Sequence, residues 1–359
     1  MKYEHMVKYG WDEYFEGQFE PYARAGFLPA RVASEHKRYL GLLTGAGSEI
    51  LARTCGKLKY EASSRANLPA VGDFVAYDQD GSGKLASVHA VLHRKSQFAR
   101  KVSGSERDVQ IIASNIDIVM IVCSLDSGFN LRRIERYLTI AHESGAEPVV
   151  ILSKADLCED FVVRASNVSK GAEGVRVITT SASSGEGFSK IREILSPGKT
   201  FALIGPSGVG KSTIINILAG SDIRAVSEMS SIVWKGKHTT TSRELILMPE
   251  GYLVIDTPGM REMQLWDGDA GIKEAFPEIE AVAAKCRFND CTHDHEPGCA
   301  VIAAVESGDI DPGRFENYCK MIRELDNISC QYGIRERLEE RNKWKKIARD
   351  LHSKNKLKK

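Results

Sequence analysis

Nine residues near the middle of the chain, Gly205-Pro206-Ser207-Gly208-Val209-Gly210-Lys211-Ser212-Thr213, have the types and spacing of a phosphate cradle. Glycines let the backbone curl until successive N–H groups converge on phosphate oxygens, and the helix that follows adds partial positive charge at its start. In the pattern GxxxxGK[ST], Lys211 reaches the β- and γ-phosphates and the Ser212 hydroxyl can ligate Mg²⁺. A flexible Gly/Ser turn would show the same composition. The apolar run Phe201–Ile204 before the loop and the apolar-periodic Ile214–Leu218 after it supply the strand and helix that phosphate binding needs.

Four further stretches carry chemistry of the same kind, although each alone also reads as an ordinary loop. Ser153-Lys154-Ala155-Asp156 follows the apolar run Val149–Leu152. A carboxylate at Asp156 can accept from N1–H and the 2-amino group of guanine, a donor pair that adenine lacks, while the Lys154 stem can lie along the base. Thr180-Ser181-Ala182 follows Val175–Thr179, and its small residues can bring backbone N–H groups to the guanine O6. Asp256-Thr257-Pro258-Gly259 follows Tyr252–Ile255. There Asp256 suits a water-mediated hold on Mg²⁺, and the Gly259 N–H suits a γ-phosphate that hydrolysis removes. Between these lies Gly236-Lys237-His238-Thr239-Thr240-Thr241. One threonine there can complete Mg²⁺ coordination when a γ-phosphate is present, and Thr240 is taken as that ligand.

A different chemistry follows at Cys286-x₄-Cys291-x-His293-x₅-Cys299, with His295 as a competing imidazole. Three thiolates and one histidine match a closed tetrahedral zinc site, which has no open position and is therefore structural. The chain has eight cysteines, and three crowd into this segment beside histidines. The first ten residues lack the apolar core of an export signal, so the clustering reads as metal rather than disulfide and the expected compartment is the cytoplasm. No apolar run is long enough to span a membrane.

These residues need elements to position them. From Ile116–Cys123 onward, near-continuous apolar runs alternate with helical spacing such as Leu131, Ile134, Leu138 and Ala141, with Gly145 as a stop. That alternation predicts an α/β domain with a mainly parallel sheet, whose ligands bind at the carboxyl ends of the strands. Ahead of it, Tyr39–Thr44, Glu49–Thr54, Val71–Tyr77 and Leu85–Leu92 are short runs punctuated by turn signals, as in a small antiparallel barrel. Arg94, Lys95, Arg100 and Lys101 beside it suit nucleic-acid phosphates, or simply a solvated edge. The aromatic-rich N-terminus is expected to pack on its own domain, with Trp11 and Phe15 one helical turn apart. At the other end, residues 335–359 hold eleven Lys/Arg against four Asp/Glu in a chain of formal net charge +1. Such a local excess suits RNA phosphates, or a solvated tail.

Taken together, SKAD, TSA, GPSGVGKST, GKHTTT and DTPG look like the parts of a GTPase in rotated order, with the base readers ahead of the phosphate loop. With a barrel before them and a Cys/His cluster after, the chain resembles the RsgA (YjeQ) family of circularly permuted ribosome-assembly GTPases, from about Arg31 to about Tyr318. The resemblance implies an OB-type barrel at 31–102 behind an arm at 1–30, a permuted P-loop GTPase domain at 103–275, and a zinc-binding module with a basic helical tail at 276–359. It also implies GTP/GDP, Mg²⁺ and one structural Zn²⁺ as ligands, and the small ribosomal subunit and its rRNA as partners, with hydrolysis stimulated by the subunit. No membrane partner and a monomeric chain are expected. The family pattern CxHxxEPGC selects His293 over His295. Two departures stand out: Ser153 where the family has Asn or Thr, and Lys237 where it has Arg, which keeps charge but loses a bidentate contact. Met260 follows Gly259 where Ras-like enzymes place a water-orienting Gln, so His238 is the expected catalytic group, as proposed for the family's switch histidine.

The leading reading is therefore a GTP hydrolase acting late in small-subunit maturation, with GTP favouring binding and hydrolysis favouring release. An rRNA-binding scaffold that holds guanine nucleotide with little turnover is the alternative, supported by Met260, and an ATPase is a third.

Overall fold

The structure, a computed structural model, describes residues 1–36, 39–45, 49–62, 64–79, 85–101, 109–126, 128–220, 243–256, 269–288, 290–294 and 296–326. Its described residues fall into two compact units, one up to Pro277 and one from Glu278 onward.

In the first unit, β1 (Leu28–His36), β2 (Tyr39–Leu43), β3 (Glu49–Thr54), β4 (Phe74–Gln79) and β5 (Ala86–Val91) form a barrel in the order β1-β2-β3-β5-β4, closed by antiparallel pairing of β1 with β4. Its interior is filled by small and branched residues, among them Ala30, Val32, Leu42, Val75 and Val88. The first strand begins at Leu28, ahead of the Arg31 start expected from composition, because Leu28–Arg31 pair with Phe74–Tyr77. The N-terminal arm folds back on the barrel. Asp12 caps helix α1 (Glu13–Arg24) by accepting from the Tyr14 and Phe15 N–H groups, and the rings of Trp11 and Phe15 lie 5.3 and 4.3 Å from that of Phe74. Ring contacts of this kind add to the area they bury, so the arm is part of the core.

One buried cation ties these pieces together. Arg31 is 1% exposed and donates to the carbonyls of Gly72 (3.1 Å), Tyr9 (2.5 Å) and Asn115 (2.9 Å), and burial pushes it down to about 10. Arg94 is equally engaged. It forms a two-pronged ion pair with the fully buried Asp73, at 2.7 Å on each side, and donates to the carbonyls of Ala66 and Leu68. Lys95 pairs with Asp12. Two of the four basic residues offered for phosphate contact are thus used in internal structure.

A two-stranded ribbon, β6 (Gln97–Lys101) with β7 (Val109–Ser114), leads out of the barrel. Then come β8 (Ile118–Ser124), α3 (Leu131–Ser144), β9 (Glu147–Ser153), α4 (Phe161–Gly171), β10 (Arg176–Thr179), α5 (Phe188–Ile194), β11 (Thr200–Ile204), α6 (Lys211–Ala219), β12 (Arg243–Leu247) and β13 (Leu253–Asp256). Strands β10-β9-β8-β11-β13 are parallel neighbours, as strand–helix alternation predicts. Every residue of β8 and β11 is buried, which accounts for their unbroken apolar runs. Beyond β13 the sheet continues through antiparallel β12 into β1 of the barrel, with Ser34 opposite Glu244 and Glu35 opposite Arg243. The Glu35–Arg243 ion pair, 3.3 Å long, sits on that seam.

The second unit packs Ile279, Val301, Ile310, Tyr318, Met321 and Leu325 as its buried apolar residues. The helix Ala300–Ser307 and helical residues 312–326 carry most of them. Tyr318 donates to Glu280 (2.9 Å), and Arg314 is paired with Glu278. Among the described residues no helix is long and apolar enough to cross a membrane.

Candidate functional site

Four strands of the parallel sheet deliver their following loops to one edge. The loop after β11 is Gly205–Gly210. Gly205 has φ +141°, and a Cβ there would lie 2.2 Å from the Val122 carbonyl oxygen on neighbouring β8, so only glycine fits. Gly208 and Gly210 are also left-handed, and Gly210 is the residue from which α6 starts. Val209 turns inward and is buried, while Ser207, Gly208, Ser212 and Thr213 are exposed at the helix start. The Lys211 ammonium donates to the carbonyls of Gly205 (2.7 Å) and Pro206. A buried hydrophobic anchor, exposed backbone at the start of a nine-residue helix and a lysine held at the loop are the features an anion cradle requires.

The loop after β9 meets it. Ser153 is buried, and its hydroxyl donates to the Val209 carbonyl at 2.6 Å. The residue at which the chain departs from the family pattern thus ties the SKAD loop directly to the phosphate loop. Lys154 adopts φ +59°, uncommon for a side chain with a Cβ, and this turns the chain into the short 3₁₀ turn Ala155–Leu157. The loop after β10 joins them. Ala155 N–H donates to the Thr180 carbonyl (3.0 Å) and Thr180 N–H to the Leu152 carbonyl (2.8 Å). A hydrogen bond from Ser181 holds the exposed Asp156 carboxyl below its ordinary range. Gly187, where a Cβ would lie 2.0 Å from the Thr179 carbonyl oxygen, closes this loop tightly onto its strand. Ser153, Lys154, Ala155 and Asp156 thus lie on one short loop beside Ser181, tied to Val209 through Ser153 and to Thr180 through the Ala155 N–H, with Ala182 next in the chain. The backbone of Asp256 ends β13 beside β11 on the same edge.

His238, Thr240 and Gly259 lie outside the described residues, as do Lys237, Met260, His295 and the basic stretch 335–359.

In the second unit the ligand atoms of Cys286, Cys291, His293 and Cys299 lie within 4.8 Å of one another. Cys286 Sγ is 3.6 Å from His293 Nδ1 and 3.9 Å from Cys299 Sγ, and His293 Nδ1 is 3.4 Å from Cys299 Sγ. Tetrahedral bonds of about 2.0–2.3 Å place ligand atoms roughly 3.4–3.8 Å apart, so this donor set fits a zinc ion, with Nδ1 as the imidazole ligand. Burial opposes ionisation of Cys286, but the N–H groups of Val301 and Ala300 outweigh it and bring the thiol below its ordinary range. His293 has φ +59°, and the Glu296 carboxylate brackets it by accepting from the N–H groups of Thr292 (2.8 Å) and Asp294 (3.0 Å).

Comparison with known proteins gives these sites a family. The family model for RsgA GTPase matches residues 91–266. The small ribosomal subunit biogenesis GTPase RsgA of Opitutus terrae is 46% identical, over 94% of this chain and 94% of its own. This chain belongs to the RsgA GTPase family. Small ribosomal subunit biogenesis GTPase RsgA 2 of Lactiplantibacillus plantarum is 47% identical over 84% of each chain. Among solved structures, YjeQ from Thermotoga maritima aligns with a TM-score of 0.61 at 29% identity, over 83% of this chain and 98% of that one.

For an RsgA GTPase the ligands are a guanine nucleotide and Mg²⁺, and the order along this chain is the permuted one: the SKAD segment after β9 and the TSA segment after β10 precede the glycine-rich loop after β11. The resemblance carried by the short motifs is thereby met at the level of the whole chain. Two parts of the site were not legible in the motifs. The Ser153–Val209 bond joins residues 56 apart in sequence. The loop after β8 contributes Asp126, which pairs with Lys154 at 2.8 Å. Its spelling, Ser124-Leu125-Asp126 followed by Gly128, is that of a turn in which an Asp side chain caps backbone two residues on, and that was the available signal.

Proposed function

We propose that this chain is a GTP hydrolase that acts in late maturation of the small ribosomal subunit, with GTP favouring the bound state and hydrolysis favouring release. The observation that carries the reading is end-to-end likeness, at 46% identity, to a relative named as a small ribosomal subunit biogenesis GTPase, in a chain whose SKAD, TSA and GPSGVGKST segments follow strands of one parallel sheet.

In this reading the N–H groups of Gly205–Thr213 and the Lys211 ammonium hold the phosphates. Asp156 reads the guanine N1–H and 2-amino group, Ser153, Lys154 and Ala155 build that loop, and Ser181 and Ala182 face the guanine O6. Ser212, Thr240 and, through water, Asp256 hold Mg²⁺, which neutralises charge on the β- and γ-phosphates when bound. Gly259 senses the γ-phosphate, and His238 orients the attacking water. Cys286, Cys291, His293 and Cys299 hold one structural zinc. The barrel at 31–102 contacts rRNA, the GTPase domain is 103–275, and the module from 276 onward carries the basic tail. The chain works as a cytoplasmic monomer. Arg94 and Lys95 leave the list of RNA contacts because their charges are already paired; Arg100 and Lys101 stay on it.

The test is steady-state turnover with and without purified small subunits. Stimulation of at least tenfold, abolished by competing GDP but not ADP, is expected. Nucleotide occupancy with no turnover under either condition would instead favour the scaffold reading.

A further inference from the structure

Asp126 stands in the loop after β8, which none of the recognised nucleotide motifs includes. Its two carboxylate oxygens are both used. One accepts from the Ser124 hydroxyl (2.8 Å) and the Gly128 N–H (2.9 Å), and the other accepts from the Lys154 ammonium (2.8 Å). The pair is partly shielded, with side-chain exposures of 34% for Lys154 and 29% for Asp126. The loop that carries Asp126 is itself fixed. Ser124 lies opposite Ser153 in the sheet register, so the two loops leave neighbouring strands at the same level. Arg164 donates to the Leu125 carbonyl (2.9 Å) and lies over the Phe129 ring, and Asn130 caps the start of α3.

We propose that Asp126 is a positioning residue for Lys154: it holds the ammonium so that the lysine stem stands as a preformed face for the guanine base. The inference rests on the reading of Ser153–Asp156 as the base-reading loop. A lysine stem has four rotatable carbons, and ordering them on ligand binding would cost most of its rotamer entropy. Lys154 already spends its backbone in the left-handed region to leave the strand. A carboxylate anchored by two other donors draws the ammonium to one point, so the ordering is complete before nucleotide arrives. The pairing also neutralises the ammonium near the base, leaving Lys211 as the cation for the phosphates. Acid does not release this latch near neutrality, because the hydrogen bond from Lys154, with those from Gly128 and Ser124, holds the Asp126 carboxyl down at about 2.

The experiment titrates the full chain with methylanthraniloyl-GDP and follows its dissociation by fluorescence, for wild type, Asp126→Asn, Lys154→Met and the double variant. Asparagine keeps the shape and one acceptor while losing the charge. Asp126→Asn is expected to weaken binding by ~5-fold, mainly through faster dissociation. In the Lys154→Met background the same change is expected to alter affinity by less than about twofold, since its effect runs through the lysine. Asp126→Asn that binds as wild type overturns the inference. Equal losses in both backgrounds also overturn it, because they would show Asp126 acting on the loop alone. If the wild-type chain fails to bind the probe, the reading of the base loop falls, which is a separate result from either of these.

Discussion

The loops at the end of the parallel sheet and the Cys/His cluster solve the same problem, holding polar groups in a fixed array, by opposite means. The cluster takes its four residues from a span of fourteen, Cys286 to Cys299. The candidate nucleotide site gathers Asp126, Ser153–Asp156, Ser181 and Gly205–Lys211 from four loops, and what joins the loops is a parallel sheet. In the first case the geometry of the donor atoms is local, and a bound metal would supply the cohesion. In the second, each loop is positioned by a strand whose neighbours are dozens of residues away, and the cohesion comes from the buried apolar cluster of Met120, Val122, Ile151, Leu203, Ile214 and Val254. A local array is fragile to loss of one ligand. A distributed array is fragile to displacement of backbone.

The largest expected effect tests that contrast directly. Cys286→Ala, or removal of metal by a strong chelator, is expected to unfold residues 278–326 while nucleotide binding by the other unit persists. Hydrogen exchange read segment by segment measures both at once. If protection falls equally in the parallel sheet, the two arrays are not independent and the contrast fails. The expectation rests on the size of zinc's contribution in small modules, on the order of 10 kcal/mol.

Next in size is Gly205→Ala, aimed at the distributed array. A methyl 2.2 Å from the Val122 carbonyl oxygen, at φ +141°, cannot be absorbed by a flexible neighbour. A loss of nucleotide affinity of at least about 100-fold is expected, with the Cys/His module unchanged in its metal content. Calorimetric titration with GDP, alongside metal analysis, reads both. An affinity within tenfold of wild type would show that the loop tolerates movement and that its geometry is less exacting than that contact implies.

The smallest effect sharpens the comparison rather than breaking it. Ser153→Ala removes the neutral hydrogen bond to the Val209 carbonyl, with the longer contact to the Cys123 carbonyl (3.4 Å), at a cost of about 1 kcal/mol. It is expected to weaken guanine nucleotide by ~5-fold and to speed release, with little change in the melting temperature of the metal module. Stopped-flow release of a fluorescent GDP measures it. Unaltered release would mean that the base and phosphate loops are aligned by the sheet alone, without the direct tie.

How much of this could be read ahead of the fold follows the same division. The clustering of Cys286, Cys291, His293 and Cys299 was legible because its spacing is its geometry, and the strand–loop–helix course of residues 200–219 was legible for the same reason. The central strands were legible because burial on both faces imposes unbroken apolar runs, as in β8 and β11. Leu28–His36 was not anticipated as a strand from its start: its register is set by β4 and β12, far along the chain. The ribbon β6–β7 was missed likewise, since Gln97–Lys101 reads as a charged edge until Val109–Ser114 pairs with it. Arg94 looked like a phosphate contact because sequence shows charge but not the buried Asp73 that consumes it.

By itself, then, the amino-acid sequence determined which residue types stand at which spacings: a glycine-rich loop ending in Lys-Ser-Thr, a carboxylate at Asp156, a three-cysteine, one-histidine set, and their permuted order. Those properties reside in residue type and short spacing, which local backbone geometry translates directly. Only the tertiary structure decided which groups meet. The Ser153 hydroxyl on the Val209 carbonyl, Asp126 on the Lys154 ammonium, and Arg31 on three carbonyls of separate segments are contacts between residues 22 to 84 positions apart. Such partners are chosen by sheet register and core packing, through cooperative burial that no short stretch of sequence encodes alone.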